Sequence, residues 1–147
     1  MRKRTQARDC ALKILYQADI TKRDVALVSE GFWNAEESVD KEVKEFSHRL
    51  AVGVGKNMQA IDEMISKYAT NWQLKRMAII DRNVLRLGAF ELLFAPDIPP
   101  KVTINEAVEL AKKYGDLESS KFVNGILDKI HKTEVVPQNL KSDIKSA

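Results

Sequence analysis

The sequence predicts an all-α protein, a single compact domain of six or seven helices. Apolar residues recur at steps of three and four along nearly the whole chain, which is the spacing of one face of an α-helix. No segment shows the apolar/polar alternation of a half-buried strand, and no internal repeat stands out. With 147 residues, of which 44% are hydrophobic and 31% charged, the chain is large enough to bury its own core.

The first three predicted helices are amphipathic, and each has one apolar stripe. The first covers 5–18, and its stripe consists of Ala7, Cys10, Ala11, Ile14, Leu15 and Ala18. The second follows Asp40, its expected N-cap, and its stripe consists of Val43, Phe46, Leu50 and Val54. The third begins near Asn57, and its stripe consists of Met58, Ile61, Ile65 and Tyr68. Each of these helices is expected to bury one face.

A central helix is predicted at 81–95, because this segment is apolar nearly all round. Asp81 is its expected N-cap, and the prolines of PDIPP at 96–100 end it, since proline cannot continue a helix. The next helix is expected to begin at a capping box. In this motif the Thr103 hydroxyl accepts from the third amide, and Glu106 reaches back to the cap amide.

The end of the chain is predicted to hold one more helix and a tail. Gly115 supplies a left-handed stop for the preceding helix. Ser119 or Ser120 opens the last helix, after which the sequence becomes polar and aperiodic. We therefore divide the chain into a helical domain at 1–132 and a flexible tail at 133–147.

The sequence contains no phosphate-binding or metal-binding motif with the required residue spacing. The run GVGKN at 53–57 resembles part of a phosphate-binding loop, but Leu50 stands where that motif requires glycine. Asn57 also replaces the hydroxyl residue that would hold magnesium. The two glycines are better explained by close helix packing or a helix end. His48 and His131 lie far apart, with no cysteine or carboxylate at a metal-ligand spacing.

Cys10 and Glu91 are interpreted as structural residues. Cys10 lies on the apolar stripe of the first helix, which favours a small core residue over a nucleophile. Glu91 lies in the central apolar helix, where a raised pKa would suit a catalytic acid. A lone carboxylate is more often paired with an arginine, and Arg82 and Arg86 are available. The sequence therefore predicts no active site, no metal and no cofactor, so the protein is not an enzyme.

Composition argues against a secreted or membrane-spanning protein. A single cysteine cannot form an intramolecular disulfide, which suits a reducing compartment. No apolar run has the length of a membrane span, and Asp9 and Lys13 interrupt the stretch that a secretory signal needs. The net charge of +3 is mild, so any attraction to nucleic acid depends on where the cations lie. We expect a cytoplasmic protein with no membrane partner.

The amino-terminal segment is the first candidate for nucleic-acid binding. Its cations are Arg2, Lys3, Arg4 and Arg8, and Tyr16 projects opposite the apolar stripe together with Asp9 and Lys13. Cations follow phosphates, and an exposed aromatic ring offers a stacking platform for a base. A membrane-surface helix would need bulkier apolar residues than this Ala- and Cys-rich stripe. From these residues alone, a solvated helix start is an equally good explanation.

The last helix adds a second candidate surface. Phe122 lies at the edge of its apolar stripe, while Lys121, Asn124 and Asp128 face outward. Gly125 also lies outside the stripe, although glycine within a helix costs roughly 1 kcal/mol relative to alanine. That cost is better explained where another chain approaches, although a tolerated glycine remains an alternative.

Four segments together resemble the NusB family of bacterial transcription antitermination factors. They are RTQARDCALKILYQ, NWQLKRMAIIDRNVLRLGAFELL, DIPPKVTINEAVELAKKYG and SSKFVNGILDKI, and the resemblance covers most of 4–131. It implies an all-helical fold of two packed helical subdomains without catalytic activity. It also implies binding to boxA-type RNA of ribosomal-RNA leaders, together with a small-subunit ribosomal protein called NusE in this role. The pair assembles on RNA polymerase and suppresses premature termination.

The resemblance also implies where the contacts lie. Expected RNA contacts are Arg2, Lys3, Arg4, Arg8, Tyr16, Glu118, Ser119, Lys121 and Phe122. Expected protein-partner contacts are Asp81, Arg82 and Gly125. Glu118 departs from family members that carry Asp at this position.

Two other functions stay open at this point. Similar domains occur fused to ribosomal-RNA cytosine methyltransferases, where they bind RNA beside a catalytic domain. The other alternative is a helical adaptor that binds only protein. The chain could act as a monomer or as a homodimer that covers the RNA surface.

Overall fold

The computed structural model describes residues 2–36 and 38–136, and most of them are helical. The α-helices are α1 (Lys3–Thr21), α2 (Val25–Asn34), α3 (Lys41–Lys56), α4 (Met58–Tyr68), α5 (Ile79–Phe94), α6 (Pro100–Tyr114) and α7 (Leu117–Ile130). A 3₁₀ turn at Leu74–Arg76 precedes α5, and a π-helical turn at His131–Val135 follows α7. These ranges contain no strand, which confirms the all-α class. None of the described helices is long and apolar enough to cross a bilayer.

The helices form two packed groups that α5 joins. Helices α1, α2 and α3 contact one another, and α4, α6 and α7 gather around α5. Helix α5 also contacts α1 and α3. Its buried apolar residues are Val84, Leu85, Leu87, Ala89, Phe90 and Leu92. The predicted central position of this helix and the arrangement in two helical subdomains are both confirmed.

The glycines of α3 lie at close helix contacts. A Cβ atom at Gly53 would overlap the ring of Phe90 on α5. A Cβ atom at Gly55 would lie 3.0 Å from the Cβ of Val25 on α2. The packing interpretation of these two glycines is therefore confirmed.

Side-chain caps fix the starts of two helices in the amino-terminal group. Asp40 caps α3 as predicted, since its carboxylate accepts from the backbone amides of Glu42 and Val43. Asp24 caps α2 in the same way. The sequence analysis did not place α2 because this helix is short and buries only part of one face. Asn57 precedes α4 as predicted, but its side-chain amide donates back to the Gly53 carbonyl instead of capping α4.

The predicted starts of α5 and α6 are wrong. Helix α5 begins at Ile79, which places Asp81 in the first turn, where its charge favours the helix dipole. Helix α6 begins at Pro100, because proline at the first helical position removes an amide that has no helical partner anyway. Thr103 is therefore inside the helix and buried, and it forms no capping box with Glu106.

The connection from α6 to α7 also differs from its prediction. Gly115 has φ −111°, so it is not the left-handed stop that the sequence suggested. Asp116 caps α7, because its carboxylate accepts from the Ser119 amide at 2.8 Å. Helix α7 thus begins at Leu117, ahead of Ser119 and Ser120.

The residues that follow Lys132 are helical through Val135, where the sequence predicted a tail. In the π-helical turn, the Glu134 carboxylate accepts from Lys67 Nζ at 2.9 Å and from Tyr68 Oη at 2.5 Å. Val135 is buried against the core. The prediction of a loose tail is therefore wrong for 133–136, and its remainder at 137–147 lies outside the described residues.

Candidate nucleic-acid interface

The amino-terminal surface consists of Arg2, Lys3 and Arg4 at the start of α1, with Phe46 and Arg49 of α3. The Arg4 guanidinium lies 4.4 Å from the centroid of the Phe46 ring, a cation–π distance that orders this long side chain. Lys3 pairs with Asp40 at 3.2 Å, and Arg49 binds Asp97 through two hydrogen bonds. Within 2–36 and 38–136, Arg2 and Arg4 form no ion pair, so their charges are available to an anionic ligand.

Arg8 does not belong to this surface. Its side chain is 2% exposed and donates to both Glu91 carboxylate oxygens, from Nε at 2.9 Å and from Nη2 at 2.7 Å. Thr103 of α6 donates to the same carboxylate at 2.9 Å. The predicted RNA contact of Arg8 is therefore wrong for this conformation. The predicted partners of Glu91, Arg82 and Arg86, are also wrong.

Helix α1 presents only part of the predicted polar face to solvent. Tyr16 is 37% exposed, as expected for an outward ring. Asp9, predicted to face outward, is buried and accepts from Lys113 Nζ at 2.9 Å and from Tyr114 Oη at 2.6 Å. Burial raises the pKa of the Asp9 carboxyl, but these hydrogen bonds and Lys13 lower it below its ordinary value. Tyr16 is therefore available for stacking, whereas Asp9 fixes α1 against α6.

A second surface, the carboxy-terminal groove, lies between α7 and the segment before α5. It has a volume of about 500 Å³ and is lined by Trp72, Arg76, Met77, Ala78, Asp81, Asp116, Glu118, Ser119 and Phe122. The rings of Trp72 and Phe122 meet edge to face, with their centroids 6.4 Å apart. Four predicted contact residues, Asp81, Glu118, Ser119 and Phe122, thus come together in one place.

The sequence analysis missed Trp72 and Arg76 in this groove. Trp72 is 56% exposed, which is unusual for so large an apolar side chain. In the sequence, its exposure is indicated by the polar neighbours Asn71 and Gln73 and by its position outside any periodic apolar stripe. An exposed tryptophan beside an arginine offers the same combination of stacking and charge that was recognised at Tyr16.

The remaining predicted contacts of α7 lie on its exposed face. Lys121 Nζ is 3.7 Å from the Glu118 carboxylate, and both side chains are exposed. Gly125 is also exposed, and a Cβ atom there would meet nothing within 4 Å. The open setting of Gly125 agrees with a position outside the apolar stripe.

Arg82, a predicted protein-partner contact, is held in a network around Asp19. Arg82 donates to both Asp19 oxygens at 2.7 Å, Arg86 donates to one at 3.0 Å, and Asn83 to the same one at 2.9 Å. Arg86 also binds Asp62 through two hydrogen bonds. Burial raises the pKa of the Asp19 carboxyl, but the hydrogen bonds and the two positive charges outweigh burial and hold its pKa at about 2. The Arg82 guanidinium is thus largely committed within the protein.

The described residues hold no metal-binding cluster. No group of three or more His, Cys, Asp or Glu side chains lies close enough to hold a metal ion within the described part of the chain. Cys10 is half-buried against the core, and burial raises the pKa of its thiol, which suits a packing residue. What the described residues offer is exposed cations on two surfaces, with exposed aromatic rings at Tyr16 on α1 and at Trp72 in the carboxy-terminal groove.

Comparison with known proteins places the chain in a family. Residues 5–132 match the model of the NusB family. The transcription antitermination protein NusB of Anaeromyxobacter dehalogenans is 49% identical over 128 residues, which are 87% of this chain and 89% of the relative. The structure of T. maritima NusB is 40% identical with a TM-score of 0.84, and the match covers 96% of this chain and 98% of that one. A chain in the crystal structure of antitermination factors NusB and NusE in complex with dsRNA is 32% identical with a TM-score of 0.81, over 90% of this chain and 98% of that one. The chain therefore belongs to the NusB family of transcription antitermination proteins.

Proposed function

We propose that this protein binds boxA-type single-stranded RNA of ribosomal-RNA leaders together with the small-subunit ribosomal protein NusE, and so helps RNA polymerase resist termination. The observations that support this proposal best are the exposed cations of the amino-terminal surface, with the exposed Tyr16 farther along α1, and the exposed Trp72 beside Arg76 in the carboxy-terminal groove. A related chain has been crystallised with NusE and double-stranded RNA. The described residues offer chemistry for binding RNA and protein, so the role that we propose is assembly.

The amino-terminal surface is suited to the sugar–phosphate backbone. Arg2 and Arg4 are exposed cations at the start of a long helix, and Phe46 restrains Arg4. Each cation that neutralises a phosphate releases a condensed counterion, which makes binding depend on salt. Tyr16 lies twelve residues farther along α1, an axial rise of about 18 Å from Arg4. Twelve residues make about three and one-third turns, so an RNA strand that contacts both residues runs along α1 and about a third of the way around it.

The carboxy-terminal groove is suited to contact with the protein partner as well as with RNA. The Oδ1 atom of Asp81 is buried and has no hydrogen-bond partner in the described residues. A buried acceptor without a donor costs about 1–3 kcal/mol, so a donor from a partner would be stabilising. We propose that Asp81 meets the ribosomal protein here, with Gly125 allowing close approach along α7. Phe122 and Ser119 then face the RNA beside it.

The test of this function is a titration of boxA-type single-stranded RNA with the protein, in the presence and absence of the ribosomal protein. We expect binding that the ribosomal protein strengthens and that weakens as salt rises. Arg4→Ala should reduce the log–log salt slope by roughly 0.7, because one phosphate contact is lost. Lys129→Ala, which removes an exposed cation from α7, is the matched control. If the protein binds no RNA under either condition, the proposal is wrong, and the alternative of an adaptor that binds only protein is favoured.

Tyr16→Ala is expected to weaken RNA binding by about 1–3 kcal/mol, because a base loses its stacking platform. The folded protein should be affected less, since the ring is partly exposed. Anisotropy titrations and thermal melts of the same preparations separate the two effects, and Tyr16→Phe, which keeps the ring, should bind almost normally. If Tyr16→Ala lowers the melting temperature yet binds RNA as tightly as the wild type, Tyr16 is a packing residue.

A further inference from the structure

A further groove has no contact assigned to it above apart from the protein-partner contact expected of Arg82, and it shares Trp72 and Arg76 with the carboxy-terminal groove. It has a volume of about 1150 Å³ and lies between the end of α1, the end of α4 and the start of α5. We call it the α4–α5 groove. Its lining residues are Asp19, Lys22, Asp62, Ser66, Ala69, Thr70, Asn71, Trp72, Gln73, Leu74, Lys75, Arg76, Arg82 and Arg86.

The floor and the rim of this groove differ in electrostatic character. On the floor, the Asp19 and Asp62 carboxylates are neutralised by hydrogen bonds from Arg82 and Arg86. On the rim lie Lys22, Lys75 and Arg76, all exposed, and none forms an ion pair within the described ranges. The groove therefore presents an excess of positive charge to a ligand that enters it.

The backbone at Lys22 is a second observation that favours a ligand. Lys22 caps α1 at φ 57° and ψ 38°, in the left-handed region, and it is the only non-glycine residue with positive φ in the described part of the chain. Glycine or asparagine is usual at such a helix end, because a side chain is strained there. Strained positions of this kind concentrate at functional sites. The sequence keeps a lysine where the fold alone would favour glycine.

The remaining lining residues match the chemistry of single-stranded nucleic acid. Such ligands bind in positively charged grooves with aromatic rings on which bases stack. Trp72 supplies an exposed ring, and the side-chain amides of Asn71 and Gln73 can donate hydrogen bonds to sugar and phosphate oxygens. Trp72 and Arg76 also line the carboxy-terminal groove, so the two grooves are adjacent. Lys22 lies about 9 Å beyond Tyr16 along α1.

We propose that the α4–α5 groove is a further RNA-binding site, in which Lys22, Lys75 and Arg76 bind phosphates and Trp72 stacks on a base. The RNA path then runs from the amino-terminal surface past Tyr16 into this groove. This inference rests on the proposed RNA-binding function and extends the contact surface to the far end of α1. That end is about 28 Å from Lys3 at the rise of an α-helix.

The test compares two triple variants of equal charge change. The groove variant carries Lys22→Gly, Lys75→Ala and Arg76→Ala, and the control carries Lys56→Ala, Lys101→Ala and Lys129→Ala at exposed positions outside the groove. With single-stranded RNA, the groove variant should lose about 2 from the log–log salt slope, at about 0.7 for each contact. The control should keep the wild-type slope.

Two further measurements separate binding from folding. Lys22→Gly alone relieves the strained backbone, so it should raise the melting temperature while it weakens RNA binding. Trp72 is exposed whereas Trp33 is buried, so RNA that stacks on Trp72 should quench the tryptophan fluorescence of the protein. Trp72→Phe should abolish this quenching. If the wild type binds RNA and the groove variant binds it with the same affinity and salt slope, the groove proposal alone is overturned. It is also overturned if the groove variant loses only its binding to the ribosomal protein, because the groove would then be a protein-binding surface. A wild-type protein that binds no RNA would overturn the proposed function itself.

Discussion

Arg8→Ala is expected to lower the free energy of unfolding by about 3–5 kcal/mol, because it leaves the buried Glu91 carboxylate without its cation. Both side chains are 2% exposed, and two hydrogen bonds of 2.7 and 2.9 Å join them. The Thr103 hydroxyl, which donates to the same carboxylate, cannot replace a charge. The pair links α1 to α5 and α6, so its loss should destabilise the contact between the two helical groups.

Urea unfolding of the wild type and variants measures this effect. Arg49→Ala is the matched control, because Arg49 also binds a carboxylate through two hydrogen bonds but is 41% exposed. Its effect should be a small fraction of that of Arg8→Ala. The double variant Arg8→Met, Glu91→Leu should lose less stability than the sum of its single changes, because no unpaired charge remains. Equal losses for Arg8→Ala and Arg49→Ala would mean that burial does not set the strength of the pair.

The same variant distinguishes a buried cation from an RNA contact. At a temperature where Arg8→Ala is still folded, its salt slope for RNA binding should match that of the wild type. Arg4→Ala, which removes an exposed cation, should lose roughly 0.7 from the slope. A reduced slope for folded Arg8→Ala would restore the RNA contact that the sequence first suggested.

Helical periodicity was sufficient to predict the class and the order of most helices. It succeeds because one face of a helix must bury its apolar side chains, and the sequence records that face. It did not locate the starts of α5, α6 and α7, which begin at Ile79, Pro100 and Leu117. Residues that often cap helices, Asp81, Thr103 and Ser119, were present just inside each helix and cap none of them. The Thr103 hydroxyl instead donates to the Glu91 carboxylate of the neighbouring helix.

The exposure of the candidate site residues could be predicted at some positions and not at others, where the packing of the whole fold decides it. Tyr16, Ser119 and Phe122 lie where the periodicity put them, at or near the surface. Arg8 and Asp9 are buried because α1 is covered by other helices on more than one side. No helical wheel contains this information, since it describes one face of one helix. Trp72 lies outside any periodic stripe, and only the fold brings it to Phe122.

Asp19→Asn is expected to lower the free energy of unfolding by about 2 kcal/mol at neutral pH. The Asp19 side chain is 9% exposed, and its pKa is lowered from 3.8 to about 2. A depressed carboxyl pKa stabilises the fold fully above the unfolded value of 3.8, and this contribution is lost as pH falls toward 2. Since each unit of pKa shift corresponds to about 1.36 kcal/mol, the contribution is about 2 kcal/mol. Asparagine keeps the shape of Asp19 but attracts neither Arg82 nor Arg86.

Urea unfolding of both proteins between pH 7 and pH 2 tests this prediction. The difference between wild type and Asp19→Asn should be largest at pH 7 and should shrink as Asp19 of the wild type takes up its proton. Asp97→Asn is the control, because Asp97 also binds an arginine but its side chain is 53% exposed. This control should change stability little and should leave the pH dependence close to that of the wild type. A constant difference between Asp19→Asn and wild type across the range would show that the ionisation of Asp19 is not what holds Arg82 and Arg86 at the floor of the α4–α5 groove.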